Sequence, residues 1–166
     1  MDAIVYTSNA GSTKRYAEML SGKINLPVFS LAEAKKKLKK GSKIIYLGWV
    51  LADNVKKLNK ARNLYDVRVI GAVGLDSECK DKLELKNNIN NDKEALFKLK
   101  GAFNTENLKG FYRFMIKVML KMMLKPEAVA KLSEKEQESL KAFANSSDFV
   151  SEDNLKEMIE YINQKF

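Results

Sequence analysis

The chain is predicted to be an α/β protein with a parallel sheet covered by helices on both faces. Three observations lead there. Short apolar, β-branched runs alternate with helical segments through the first hundred residues, which is the order that winds a parallel sheet. Those runs are apolar at successive positions, as in strands buried on both sides. The length of 166 residues and the 45% hydrophobic content suit one folded domain, 1–166, with a sizeable core.

In order, strand one is expected at 3–7 and helix one at 13–21. Strand two follows at 26–30 and helix two at 31–39, with Gly41 ending it. Strand three is expected at 43–47, helix three at 54–63, strand four at 67–73, helix four at 77–88 and strand five at 95–100. The simplest arrangement of five such strands is the doubly wound order 2-1-3-4-5. Residues 105–145 read as a helical insertion before the last helix. That helix opens at Ser151-Glu152-Asp153-Asn154, a capping sequence with early acidic residues. Leu155, Met158, Ile159 and Ile162 then form an apolar stripe at helical spacing.

The first strand runs into Ser8-Asn9-Ala10-Gly11-Ser12-Thr13 and then a helix. A helix start carries unpaired N–H groups and partial positive charge, so such a turn can hold a phosphate largely by main chain. Ser8, Asn9, Ser12 and Thr13 add side-chain donors, and Gly11 lets the backbone bend. An ordinary turn with Ser12 or Thr13 as N-cap would leave the same pattern. The loop is neither G-x-x-x-x-G-K-[ST] nor G-x-G-x-x-G, so neither an ATP or GTP loop nor a Rossmann dinucleotide site is supported. Its form, Tyr6-x-Ser8-x-x-Gly11-x-Thr13, resembles the FMN-phosphate loop of the flavodoxin family, with Ala10 where Thr is frequent. The resemblance implies a flavodoxin-like fold, noncovalent FMN, and Ser8, Asn9, Ala10, Gly11, Ser12 and Thr13 around its phosphate.

In a doubly wound sheet a ligand lies beyond the carboxyl ends of the strands, at the switch point between strands one and three. Strand three leads into Gly48-Trp49-Val50-Leu51-Ala52-Asp53, which holds the sole tryptophan. The resemblance implies that Gly48, Trp49, Val50, Leu51 and Ala52 flank the isoalloxazine ring; alone, Trp49 reads equally as a core aromatic. Asp53 reads first as the N-cap of helix three. A Gly-Trp pair here is similar to a branch of small flavodoxin-domain proteins resembling the quinone-dependent protoporphyrinogen dehydrogenases. That branch often carries Gly where Asp53 stands. Gly74 and Leu75, after strand four, are expected on the far side of the ring. No aromatic occurs in that loop, so Phe103 is a further candidate cover.

There is no histidine and one cysteine, Cys79. This excludes His-based acid–base chemistry and a Ser-His-Asp triad, and disfavours zinc and iron–sulfur sites. Redox chemistry would rest on a bound organic cofactor, and no catalytic or metal-ligating residue is assigned. A cytoplasmic location is expected from the cysteine count and the lack of a membrane-length apolar run. The net charge of +9 points to a solvated lysine surface or to an anionic partner. With 26 lysines against 4 arginines, nucleic acid is not expected.

Residues 108–125 place Lys109, Arg113, Lys117, Lys121 and Lys125 four apart among aromatic, Met and Leu residues. A helix of that kind either covers the fold with its lysines in water or lies on a membrane, quinone, hydrophobic partner or second subunit. Three functions stay open. One is an FMN-binding electron-transfer protein or small oxidoreductase working with a redox partner protein or a quinone. Another is a quinone- or protoporphyrinogen-linked dehydrogenase peripheral to the inner membrane surface. The third is a cofactor-free binding domain of the same fold.

Overall fold

The structure, a computed structural model, describes residues 1–74, 80–102 and 148–166. Along them lie β1 (Ala3–Thr7), α1 (Ser12–Ile24), β2 (Val28–Ser30), α2 (Leu31–Lys37), β3 (Lys43–Leu51) and β4 (Asn54–Val55). Then come α3 (Leu58–Arg62), β5 (Asp66–Gly74), α4 (Lys80–Lys86), β6 (Ala95–Lys100), a 3-10 turn (Glu152–Leu155) and α5 (Lys156–Lys165). The strand order is β2-β1-β3-β5-β6, and those four neighbouring pairs are parallel. This is the expected doubly wound order, with β5 and β6 as the fourth and fifth parallel strands. The two-residue β4 is additional and pairs antiparallel with β3.

Each face of the sheet has its own core. On one, Val5, Ile44, Tyr46, Val67, Ile70 and Leu96 meet Leu31 and Ala34 of α2, Leu58 and Ala61 of α3, and Leu83 of α4. On the other, Ile4, Ile45, Leu47, Val69 and Leu99 meet Tyr16, Ala17 and Leu20 of α1. Leu155, Met158 and Ile162 close that second face, so the predicted stripe is buried there while Ile159 is half-buried. Val67 and Val69 lie two apart yet on opposite faces. A register shift explains this: Ile44 pairs with Val67 but Ile45 pairs with Val69, leaving Arg68 as the extra residue of a bulge.

Several boundaries differ from expectation, four of them for an identifiable local reason. Helix one runs on to Ile24 because its left-handed cap is Asn25, at φ 52°. Strand two pairs only from Val28; the Pro27 carbonyl instead accepts from Ile4 N–H, 2.9 Å. Helix two begins with a full capping box between Ser30 and Glu33 and ends at Lys37, Leu38 being extended. The largest difference is after Leu47. Strand three continues to Leu51, turns through Ala52-Asp53 and returns as β4, so 54 and 55 are strand and not helix. Asp53 is therefore a turn residue; the residue at the start of α3 is Lys57, at φ 61°. Leu75, Cys79, Phe103, the start of predicted helix four and the predicted insertion 105–145, with 108–125 inside it, lie outside the described residues.

Glu94 is buried, and the Arg62 guanidinium pairs with it through two nitrogens. The third guanidinium nitrogen, Nη1, donates to the Asn87 carbonyl at 2.7 Å, so α3 is fastened to the segments that follow α4 and precede β6. Removing one partner of a buried pair strands the other charge. Arg62→Met should therefore lower unfolding stability by about 3 kcal/mol. Adding Glu94→Leu should recover much of that loss, both read by urea unfolding.

Candidate functional site

The register aligns the carboxyl ends of the strands. Thr7 pairs with Gly48, Trp49 with Val73, and Gly74 with Lys100. The strand ends from which the three predicted loops start, at Thr7, Trp49 and Gly74, thus lie side by side.

The Ser8–Gly11 turn closes on itself and opens α1. Gly11 N–H donates to Ser8 Oγ at 3.0 Å. Gly11 has φ 101°, and no atom lies within 4 Å of where a Cβ would sit, so the turn needs glycine for its backbone and leaves space beside it. The first helical bond runs from Arg15 N–H to the Gly11 carbonyl, 3.1 Å. The amides of Ser12, Thr13 and Lys14 therefore lack an acceptor within the helix. The first turn holds no acidic residue. Ser8 is exposed, Asn9, Ala10 and Gly11 are half-buried, and Ser12 and Thr13 are buried. Neither Ser12 nor Thr13 is the N-cap; that position is Gly11, and no side chain caps it.

Long-range bonds fix the direction of this helix end. Ala102 N–H donates to Ser12 Oγ at 3.1 Å, and the Ser12 hydroxyl faces the Ala102 carbonyl at 3.4 Å. Tyr16 donates to the Lys100 carbonyl and accepts from Asn154 Nδ2 at 2.7 Å. Arg15 pairs with Asp148 at 2.6 Å, and its hydrogen bond holds the Asp148 carboxyl below its usual range. Asp148 itself bridges Ala102. The end of β6 and the segment returning to α5 therefore grip the first turns of α1.

The second loop is a hairpin. Leu51 faces Asn54 across Ala52 and Asp53, at φ 51° and 60°. Two positive φ values are what a tight type I′ hairpin demands. It folds back over β3 because position 48 is glycine: a Cβ there would sit 2.6 Å from Val55 Cγ1 and 3.2 Å from the Lys56 carbonyl. The space above Gly48 is thus filled by the hairpin itself. Tyr46 Oη donates to the Lys56 carbonyl at 2.7 Å, and Thr7 Oγ1 lies 2.9 Å from Tyr46 Oη and 3.2 Å from the same carbonyl. Two hydroxyl protons serve these three contacts, so Thr7 donates mainly to Tyr46. Burial pushes the Tyr46 hydroxyl up to about 12. Trp49, Val50 and Leu51 are half-buried on the strand, and Ala52 is exposed at the tip. Trp49 accepts Lys56 N–H at 2.9 Å, while the Lys56 ammonium lies 5.9 Å from its ring centroid. On the third side, Gly101 N–H donates to the Gly74 carbonyl at 2.7 Å.

A family model described as Flavodoxin domain matches residues 3–130. The chain belongs to the flavodoxin family. No curated protein and no solved structure matches it. The family implies FMN, and the donor set of this flavodoxin domain fits the phosphate: three amides without an acceptor among the described residues, an open glycine turn and no acidic residue in the first turn of α1. The half-buried Trp49, Val50 and Leu51 fit a flat apolar ring. Sequence reasoning did not find Thr7, Tyr46 or Asn87, which hold the hairpin in place. Only Gly48, a glycine inside a strand, signals that another backbone comes close.

An ionised Tyr46 is disfavoured in the fold, so its contribution to stability is full below pH 10 and lost as pH rises toward 12. The loss should reach at most about 1.4 kcal/mol per pH unit in that window. Tyr46→Phe should remove this part of the alkaline slope and cost about 1–2 kcal/mol at neutral pH. The difference between the two proteins in denaturation at pH 7 to 11.5 isolates Tyr46 from the other tyrosines.

Proposed function

We propose that this flavodoxin domain binds FMN noncovalently and serves as an electron-transfer protein or small flavoprotein oxidoreductase. The observation that carries the reading is the first turn of α1: three main-chain donors with no acceptor among the described residues, beside an open Gly11 and next to the strand that bears Trp49. The amides of Ser12, Thr13 and Lys14 would hold the phosphate, helped by Ser8 and Asn9. Ser12 and Thr13 would contribute main chain rather than hydroxyl, because both side chains are buried and Ser12 Oγ is taken by Ala102. Ala10 would add its amide and no hydroxyl.

Trp49, Val50 and Leu51 would form one apolar wall, with Ala52 at its tip and Gly74 on the far side. Such a wall excludes water from the ring and weakens the screening of nearby charge. Lys56, 5.9 Å from the Trp49 ring centroid, would bring a cation to that wall. Bound FMN would supply the one- or two-electron chemistry, and the chain would supply orientation and electrostatics.

A second reading rests on the five cations spaced four apart through 108–125, with no acidic residue among them. It makes the protein a membrane-peripheral oxidoreductase linked to a quinone or a porphyrinogen. Among the described residues no helix is long and apolar enough to cross a membrane. The segment would instead lie on an anionic surface, each lysine adding about 1 kcal/mol. Sedimentation with anionic vesicles checks this. Binding should fall with salt and by about tenfold or more in Lys117→Glu/Lys121→Glu, whereas indifference to both changes removes the reading.

The FMN reading has a sharper check in the comparison of FMN with riboflavin. With three charge-assisted bonds to the phosphate, FMN should bind about a hundredfold more tightly. Ala10→Glu, which brings a carboxylate to the same turn, should erase most of that preference while leaving riboflavin affinity unchanged. Equal affinity for the two flavins removes the phosphate site. Uptake of neither leaves a cofactor-free binding domain.

A further inference from the structure

We propose that Asn87 is the positioning residue for the wall that carries Trp49, acting by clamping the β3–β4 hairpin from its outer edge; this rests on the FMN reading above. Asn87 follows α4 and is buried, 8% exposed. A buried carboxamide needs partners for its acceptor and both donors. Asn87 uses them on the hairpin and on its own helix. Its Oδ1 accepts Val55 N–H at 2.8 Å, and its Nδ2 donates to the Asp53 carbonyl at 2.8 Å and to the Leu83 carbonyl at 2.7 Å.

The position of those bonds gives them their meaning. Lys56 N–H bonds back to Trp49 across the hairpin. In an antiparallel pair, N–H groups alternate between the partner strand and the outside, so Val55 N–H points away from β3. The Asn87 carboxamide bonds that outward N–H and the carbonyl two residues earlier. It occupies the place of a peptide group from a third strand. A two-residue β4 is too short to hold itself. The turn also places Ala52 and Asp53, neither a glycine, at positive φ, a conformation that persists only where the surroundings enforce it.

Asn87 is itself held from behind. Arg62 donates to its carbonyl, and Arg62 is anchored by buried Glu94. Lys86 adds an ion pair to the Asp53 carboxylate at 3.7 Å. The clamp therefore reaches from the segment before β6, through α3 and the end of α4, to the hairpin tip. Trp49 lies at the base of that hairpin, so loosening the tip should change its surroundings and the shape of the wall.

The test compares Asn87→Ala with Met158→Ala, a core truncation on the opposite face of the sheet, at a temperature where both are fully folded. Trp49 is the sole tryptophan, so its emission reads the hairpin in flavin-free protein. The expected result has three parts: shifted Trp49 emission, Val55 amide exchange at least tenfold faster than in Met158→Ala, and FMN affinity at least tenfold weaker. Should Asn87→Ala not fold, Asn87→Asp keeps the shape and the acceptor for Val55 but loses the donor to the Asp53 and Leu83 carbonyls, and is read by Trp49 emission and FMN affinity. Emission and exchange equal to those of Met158→Ala overturn the clamp. A loosened hairpin with unchanged FMN affinity overturns its role in the site. If the parent protein takes up no FMN, the functional reading fails separately, while emission and exchange still decide whether Asn87 sets the hairpin.

Discussion

Helix geometry leaves the amides of Ser12, Thr13 and Lys14 without acceptors inside α1, and none of the described residues supplies one. A helix end of this kind attracts negative charge through unpaired N–H groups and through the dipole. Here Ser8 satisfies only the Gly11 amide, and the first turn has no carboxylate of its own. The bonds from Ser12, Arg15 and Tyr16 to residues 100–102 and 148–154 hold the helix in one direction. The doubly wound sheet then brings this end beside Gly48 and Trp49, because Thr7 and Gly48 are paired across β1 and β3.

The hairpin after β3 shows how one small residue redirects a chain. Gly48 lets Val55 and the Lys56 carbonyl lie directly on the strand. The Tyr46 hydroxyl satisfies that carbonyl from below, with Thr7 bonded to Tyr46 behind it, and Asn87 satisfies the outer edge. The Lys56 carbonyl and N–H, the Val55 N–H and the Asp53 carbonyl each have a partner, as such burial requires. The result is a short arm bearing Trp49, tied to both the sheet and α4.

The sequence was most legible where structure is local. The strand–turn–helix at Ser8 to Thr13 is marked by small polar residues followed by helical spacing. The buried strands are marked by apolar runs, and their alternation with helices leads directly to the observed order. The last helix follows from its capping residues and its stripe. What could not be read depends on distant partners. Asp53 before Asn54 looks like a helix cap, and nothing nearby signals that Ala52 and Asp53 accept positive φ. Ser12 looks like a phosphate-binding hydroxyl, yet its oxygen meets a backbone ninety positions away. Asn87 looks like an ordinary residue at a helix end, and its three bonds appear only once α4 is folded against the hairpin. The bulge at Arg68 is likewise a matter of register, invisible along one strand.

The proposed phosphate grip lies in the main chain at the start of α1. Amide proton–nitrogen NMR spectra recorded during FMN addition test this most directly. Strong downfield shifts of the Ser12, Thr13 and Lys14 amides, saturating together with the change in Trp49, are the predicted outcome. Flavin binding that leaves those three amides unmoved would contradict it.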